Sequence, residues 1–155
     1  VTVEVVANDE EPLVNDTDVE ETSEEETVAG QKVATSYKRA SLAIEKPIID
    51  WRGTWGKVTK LKFTINNRED GYIEPNYFVM MVEGYENLEK KFTVPLNSRK
   101  INAGQAHTAI ATVEGGFSYS ESSAGDLTSV DVTLILYDQQ GEVIGSTFQA
   151  LNLQG

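Results

Sequence analysis

Near its C-terminus the chain alternates side chains with a period of two: Val130, Val132, Leu134 and Leu136 share one set of positions, and Asp131, Thr133 and Ile135 the other. That period places each set on one face of a β-strand, and no helix can do the same. Tyr137-Asp138-Gln139-Gln140-Gly141 then turns the chain, and Val143 to Leu151 returns as the second arm of a hairpin with a Gly-containing loop. A strand with one apolar face must bury it against another layer, so the remaining chain is expected to supply more strands.

From about Lys32 onward it supplies them. Leu42, Ile44, Ile48 and Ile49 mark a strand broken at Pro47, and Leu61, Phe63 and Ile65 alternate with Lys62 and Thr64. Residues 66–76 read as a loop with Asp70-Gly71 at a tight turn, followed by the apolar run Tyr77 to Val82. Phe92 and Val94 form a short strand ended by Pro95. A strand over residues 106–113 is expected to stop at Gly115-Gly116, and a Ser- and Gly-rich loop to cover 118–129. Short strands at this spacing, with no amphipathic helix, predict an all-β fold, an immunoglobulin-like β-sandwich of about 7–8 strands.

Charge divides the chain. Of its 25 acidic residues, 11 lie in residues 1–31, which hold no Lys or Arg, leaving 14 acidic against 13 basic in the rest. The expected organisation is therefore an N-terminal β-strand plus acidic tether over 1–31 and a sandwich over 32–155. Like charges repel in residues 8–31 and there is little to bury, so this arm is expected to be extended or disordered. A basic surface that would favour nucleic acid is missing. No apolar run approaches 18 residues, so direct membrane insertion is not expected. Absent cysteine excludes disulfides and thiolate sites, and the lone His107 leaves little for zinc or acid–base chemistry. The first residue is Val rather than Met, from which removal of an upstream signal peptide or anchor is expected.

The segment Leu134-Ile135-Leu136-Tyr137-Asp138-Gln139-Gln140-Gly141-Glu142-Val143-Ile144-Gly145-Ser146 resembles the late hairpin of LEA14-type and FxLYD-type domains. Lys60-Leu61-Lys62-Phe63-Thr64-Ile65-Asn66-Asn67 resembles their strand-then-Asn segment, and Ile101-Asn102-Ala103-Gly104-Gln105 their Gly turn. The insert around 114–129 departs from that pattern. More loosely, the chain is similar to the Ig-like soluble domains of archaeal surface appendages. The resemblance implies an exported immunoglobulin-like sandwich that binds envelope proteins or packs into filaments and carries no catalytic residues.

Among candidate sites, Val1, Val3 and Val5 form the apolar face of an isolated strand that a long tether could carry to another copy's sheet edge. Val130, Val132 and Leu134 stand for the neighbouring core it would join. The expected partner is a second copy or an envelope protein, at the cell surface or outside the cell. The alternative is an anchored binding module: Trp51 and Trp55 would offer an aromatic platform to a glycan, or Asn66, Glu69, Asp70 and Glu74 would offer oxygens to Ca²⁺. Otherwise no cofactor is expected. Asn15 heads the one N-glycosylation triplet. His107 reads as a surface residue at a strand end, no nucleophile elbow accompanies it, and the chain is not expected to be an enzyme.

Overall fold

The structure, a computed structural model, describes residues 32–155; Val1, Val3, Val5, Asn15 and the acidic tether lie outside the described residues. Seven strands occur in the described residues. They are β1 (Ala40–Trp51), β2 (Trp55–Asn67), β3 (Pro75–Val82), β4 (Lys90–Thr93), β5 (Ala106–Ser120), β6 (Val130–Asp138) and β7 (Val143–Leu151). They form two antiparallel sheets, one with order β1-β2-β5 and one with order β4-β3-β6-β7. The fold is a β-sandwich.

Alternation explains the core. On β2, Leu61, Phe63 and Ile65 face inward, and on β6 so do Val130, Val132, Leu134 and Leu136; all are 1% exposed or less. Phe63 of the first sheet meets Phe78 of the second edge-on, with centroids 5.0 Å apart, and Phe92 lies 5.3 Å beyond. The first, edge-on contact joins the two layers; the second, tilted, lies within the four-stranded sheet. Each such buried ring or aliphatic side chain contributes about 1.5–3 kcal/mol relative to exposure.

Two departures from regular strands matter. β1 carries bulges between Ile44 and Lys46 and between Ile48 and Ile49, so it runs through Pro47 as one strand. β5 likewise does not stop at its glycine pair. Opposite β2 its register jumps from Lys60↔Thr112 to Val58↔Phe117, so residues 113–116 make an excursion and the strand resumes. Gly115 (φ 76°) and Gly116 (φ 69°) take the left-handed conformations that the excursion needs. The expected loop at 118–129 is correspondingly shorter: strand to Ser120, a helical turn at Glu121–Ala124, then loop.

The chain joins the sandwich at the 68–74 loop. Lys32 accepts a bond from the Tyr72 amide and Ala34 donates to the Tyr72 carbonyl, 2.9 and 2.8 Å. A Cβ on Gly71 would stand 2.1 Å from the Lys32 carbonyl oxygen, so only glycine admits this strand-like pairing.

Candidate functional site

The two outer faces of the sandwich differ in chemistry, and register explains both. On the four-stranded sheet, Val79, Ile135 and Ser146 stand in one row across β3, β6 and β7, and Met81, Thr133 and Phe148 in the next. Tyr77 and Tyr137 stack in a third row, 4.9 Å apart, with the Lys91 ammonium 4.2 Å from the Tyr77 centroid. Phe148 is 71% exposed. Beside it a shallow groove of about 360 Å³ is bordered by Met81, Glu83, Glu86 and Asp131. This is an apolar face with an acidic corner and a lysine on its opposite edge strand.

The outer face of the three-stranded sheet is basic. Lys46 on β1 stands directly opposite Lys62 on β2, Ile48 opposite Lys60 and Asp50 opposite Lys57. Across β5 the neighbours are Ile110, which is 49% exposed, and Thr108, whose hydroxyl bonds that of Thr64 at 2.7 Å. Among the described residues the one ion pair is Arg52 with Asp50, so these four lysines have no carboxylate within bonding range there.

Every sheet edge in the described residues carries a guard against strand addition. β4 presents Lys90 and Lys91, and β5 its glycine excursion. Where β1 meets β7, the Gln149 side chain replaces a strand: its Oε1 accepts the Ile44 amide at 2.7 Å and its Nε2 donates to the Ile44 carbonyl at 3.0 Å.

Val130, Val132 and Leu134 lie on the central strand β6, hydrogen-bonded to β3 on one side and β7 on the other, with their side chains filling the core. They offer no edge at which an added strand could pair. Val1, Val3 and Val5, the strand expected to be donated, and Asn15 lie outside the described residues.

Trp51 and Trp55 do not share a platform. Trp51 pairs with buried Gly56 and turns toward the core, while Trp55 pairs with Ser120 on the outer side and is 40% exposed. The oxygen set Asn66, Glu69, Asp70 and Glu74 does not converge either. Glu69, 9% exposed, spends one carboxylate oxygen on the amides of Lys38, Arg39 and Ala40. Its own amide is held by Asn67, whose side chain also donates to the Gly71 and Ile101 carbonyls. Glu69 is thus a clamp that fastens the incoming chain to the sandwich. No group of three acidic or histidine residues able to hold a metal occurs among the described residues.

His107, at the start of β5, is half-buried rather than fully exposed. It pairs with Ile65 on the inner side of β5 and its Nε2 lies 2.8 Å from the Ser98 hydroxyl. Ser98 is fully buried and also bonds Asn97, and no carboxylate is bonded to His107 among the described residues. The pair fastens the 96–98 turn to β5.

A further concavity of about 560 Å³ lies between residues 33–37 and the β6–β7 turn. Asp138, 5% exposed, organises it: Oδ2 accepts the Tyr37 hydroxyl at 2.6 Å, and Oδ1 accepts the amides of Gln140 and Glu142. Burial, and then the bond and charge of Asp138, hold the Tyr37 proton well above the usual tyrosine range. Both Asp138 oxygens are thus engaged in holding residues 37 and 140–142 together, and Glu74 and Glu142 also line the concavity.

No family model, curated protein or solved structure matches this chain.

Proposed function

We propose that this chain is a non-enzymatic, immunoglobulin-like assembly module of the cell surface, and that it joins a second copy of itself through the outer face of its four-stranded sheet. The observation that carries the reading is the apolar face of Tyr77, Val79, Met81, Ile135, Tyr137 and Phe148, with an aromatic ring 71% exposed at its side. A contiguous face of this kind marks an interaction site. The orders β1-β2-β5 and β4-β3-β6-β7 support the immunoglobulin-like part, because a Greek key that changes sheet between β4 and β5 yields them. The surface location rests on composition and on the resemblance to exported domains.

A second copy is the favoured occupant because the face is self-complementary in size and charge. With strands about 4.8 Å apart and about 3.3 Å per residue, the apolar patch itself covers roughly 240 Å², and the whole outer surface of the four strands, about 19 Å by 26 Å, offers roughly 500 Å² per copy. A pair buries about 1,000 Å², the lower bound of specific interfaces. Glu83, Glu86 and Asp131 border it at one corner and Lys91 at the β4 edge, so a two-fold partner can set acid against base. The guarded edges favour face-to-face docking over strand addition.

The test is sedimentation of the full chain from about 10 μM to 1 mM, beside Phe148→Lys. Concentration-dependent dimers that vanish in the variant, with an unchanged melting temperature, are expected. A wild-type chain that stays monomeric at 1 mM overturns the proposal.

A further inference from the structure

The lysine face of the three-stranded sheet poses a separate problem. Lys46 and Lys62 are directly opposed, a pairing that puts their Cα atoms about 4.5–5.5 Å apart. Lys60 lies about 7 Å along β2 on the same face. Directly opposed like charges destabilise a sheet. Lys46, Lys60 and Lys62 are exposed, and Lys57 extends the row toward the other end of β2. Ile48 and Ile110 lie between and beside them, so the face combines ammonium groups with apolar surface. Asp50 stands opposite Lys57 but bonds Arg52, and no carboxylate in residues 32–155 forms an ion pair with any of these lysines.

The chain itself carries the complementary charge. Residues 1–31 hold 11 carboxylates and no basic side chain, and Glu20, Glu21, Glu24, Glu25 and Glu26 are the densest part. We infer that the segment 20–26 docks on the lysine face of its own sandwich, its carboxylates neutralising Lys46, Lys60 and Lys62.

Reach and tether favour the same copy. Lys32 is fixed at the 68–74 loop beside Asn67, the last residue of β2. Lys62 lies five residues back along that strand, about 17 Å. Glu26 is six residues from Lys32 and can stand up to about 20 Å from it, and Glu20 about twice as far. The anchor is set firmly, because Glu69 binds three consecutive amides just beyond it. A tether this short gives the acidic segment an effective concentration in the millimolar range at the face. A second copy would have to compete with that.

The inference uses the face opposite to the one proposed for self-association, so either can fail alone. Its test is zero-length carbodiimide cross-linking of the wild-type full chain, as an equal mixture of isotopically heavy and light protein, followed by peptide mapping. In about 20 mM salt, isopeptide bonds are expected between Lys46, Lys60 or Lys62 and Glu20–Glu26, within one isotopic form. Their yield should fall at least roughly fivefold in about 1 M salt, where the screening length is about 3 Å. Links between heavy and light chains would assign the acidic segment to a second copy and overturn docking on its own sandwich. Links spread equally over Lys38, Lys90 and Lys91, or none at low salt, would overturn the lysine face as the site.

Discussion

Replacing Tyr119 by Phe should change how the protein withstands alkali more than how it withstands heat at neutral pH. Tyr119 is 2% exposed, and its hydroxyl donates to the Leu153 carbonyl, tying the C-terminal segment to β5. Burial pushes its pKa up to about 12, against an ordinary value near 10. Below pH 10 both folded and unfolded chains hold this proton, and its contribution to stability is complete. Between about pH 10 and 12 the unfolded chain releases a proton that the folded chain keeps, so stability falls as pH rises. The slope is about 1.4 kcal/mol per pH unit, and the total loss about 2.7 kcal/mol. Tyr119→Phe gives up one neutral hydrogen bond, about 1 kcal/mol, at every pH and removes this slope. Urea unfolding at intervals from pH 8 to 11.5 should therefore find the variant about 1 kcal/mol weaker at pH 8, equal to wild type near pH 11, and stronger above. Every other ionisable side chain is common to both proteins and drops out of the difference. A gap that stays constant from pH 8 to 11.5 would refute the reasoning.

Two other substitutions probe the devices that close the sandwich. Glu69→Ala removes the acceptor for the amides of residues 38–40 and should cost about 2–4 kcal/mol, with Glu69→Gln costing about half because one acceptor oxygen remains. A thermal midpoint within 1 °C of wild type for the Ala variant would contradict the clamp. Gln149→Ala should cost about 1–2 kcal/mol and speed hydrogen exchange at the Ile44 amide, since the side chain closes the β1–β7 seam there. Unchanged exchange at Ile44 would show that the seam closes without it.

The strands with clean alternation were legible from the residues alone. Leu61, Phe63 and Ile65, and the hairpin from Val130 to Leu151, read directly because period two is a local property. What escaped depends on partners distant in sequence. Gly115-Gly116 looks like a stop, and only the resumed pairing of Phe117 with Val58 reveals an excursion inside one strand. Glu69 looks like a loop carboxylate available to a cation until three amides some thirty residues upstream occupy it. His107 looks exposed until its register with Ile65 turns it toward Ser98. For the apolar face a signal was present. Ile144 and Leu151 are both buried although seven apart, an odd spacing that alternation forbids without a register shift. That shift, between Leu136 and Tyr137 of the partner strand, leaves Phe148 outside and Thr147 and Gln149 on the side toward β1.

The lysine face owes its existence to similar shifts. On β1, Leu42 and Ile44 point inward, so uninterrupted alternation would carry Lys46 into the core. The bulge at Glu45 turns it outward and sets it against Lys62. On β2, Lys60 and Lys62 are outside because Leu61, Phe63 and Ile65 are inside, and the second shift at Thr59 lets Val58 rejoin the core while Lys57 stays on the lysines' side. Burying an unpaired ammonium would cost far more than a bulge, so the shift at Glu45 is what makes Lys46 compatible with this strand. Yet keeping Lys46 out of the core required only that it face water; it did not require a second lysine directly across from it. An arrangement that keeps opposed like charges on one face, in a chain whose excess of acid over base lies almost wholly in residues 1–31, is most simply explained if that segment neutralises them.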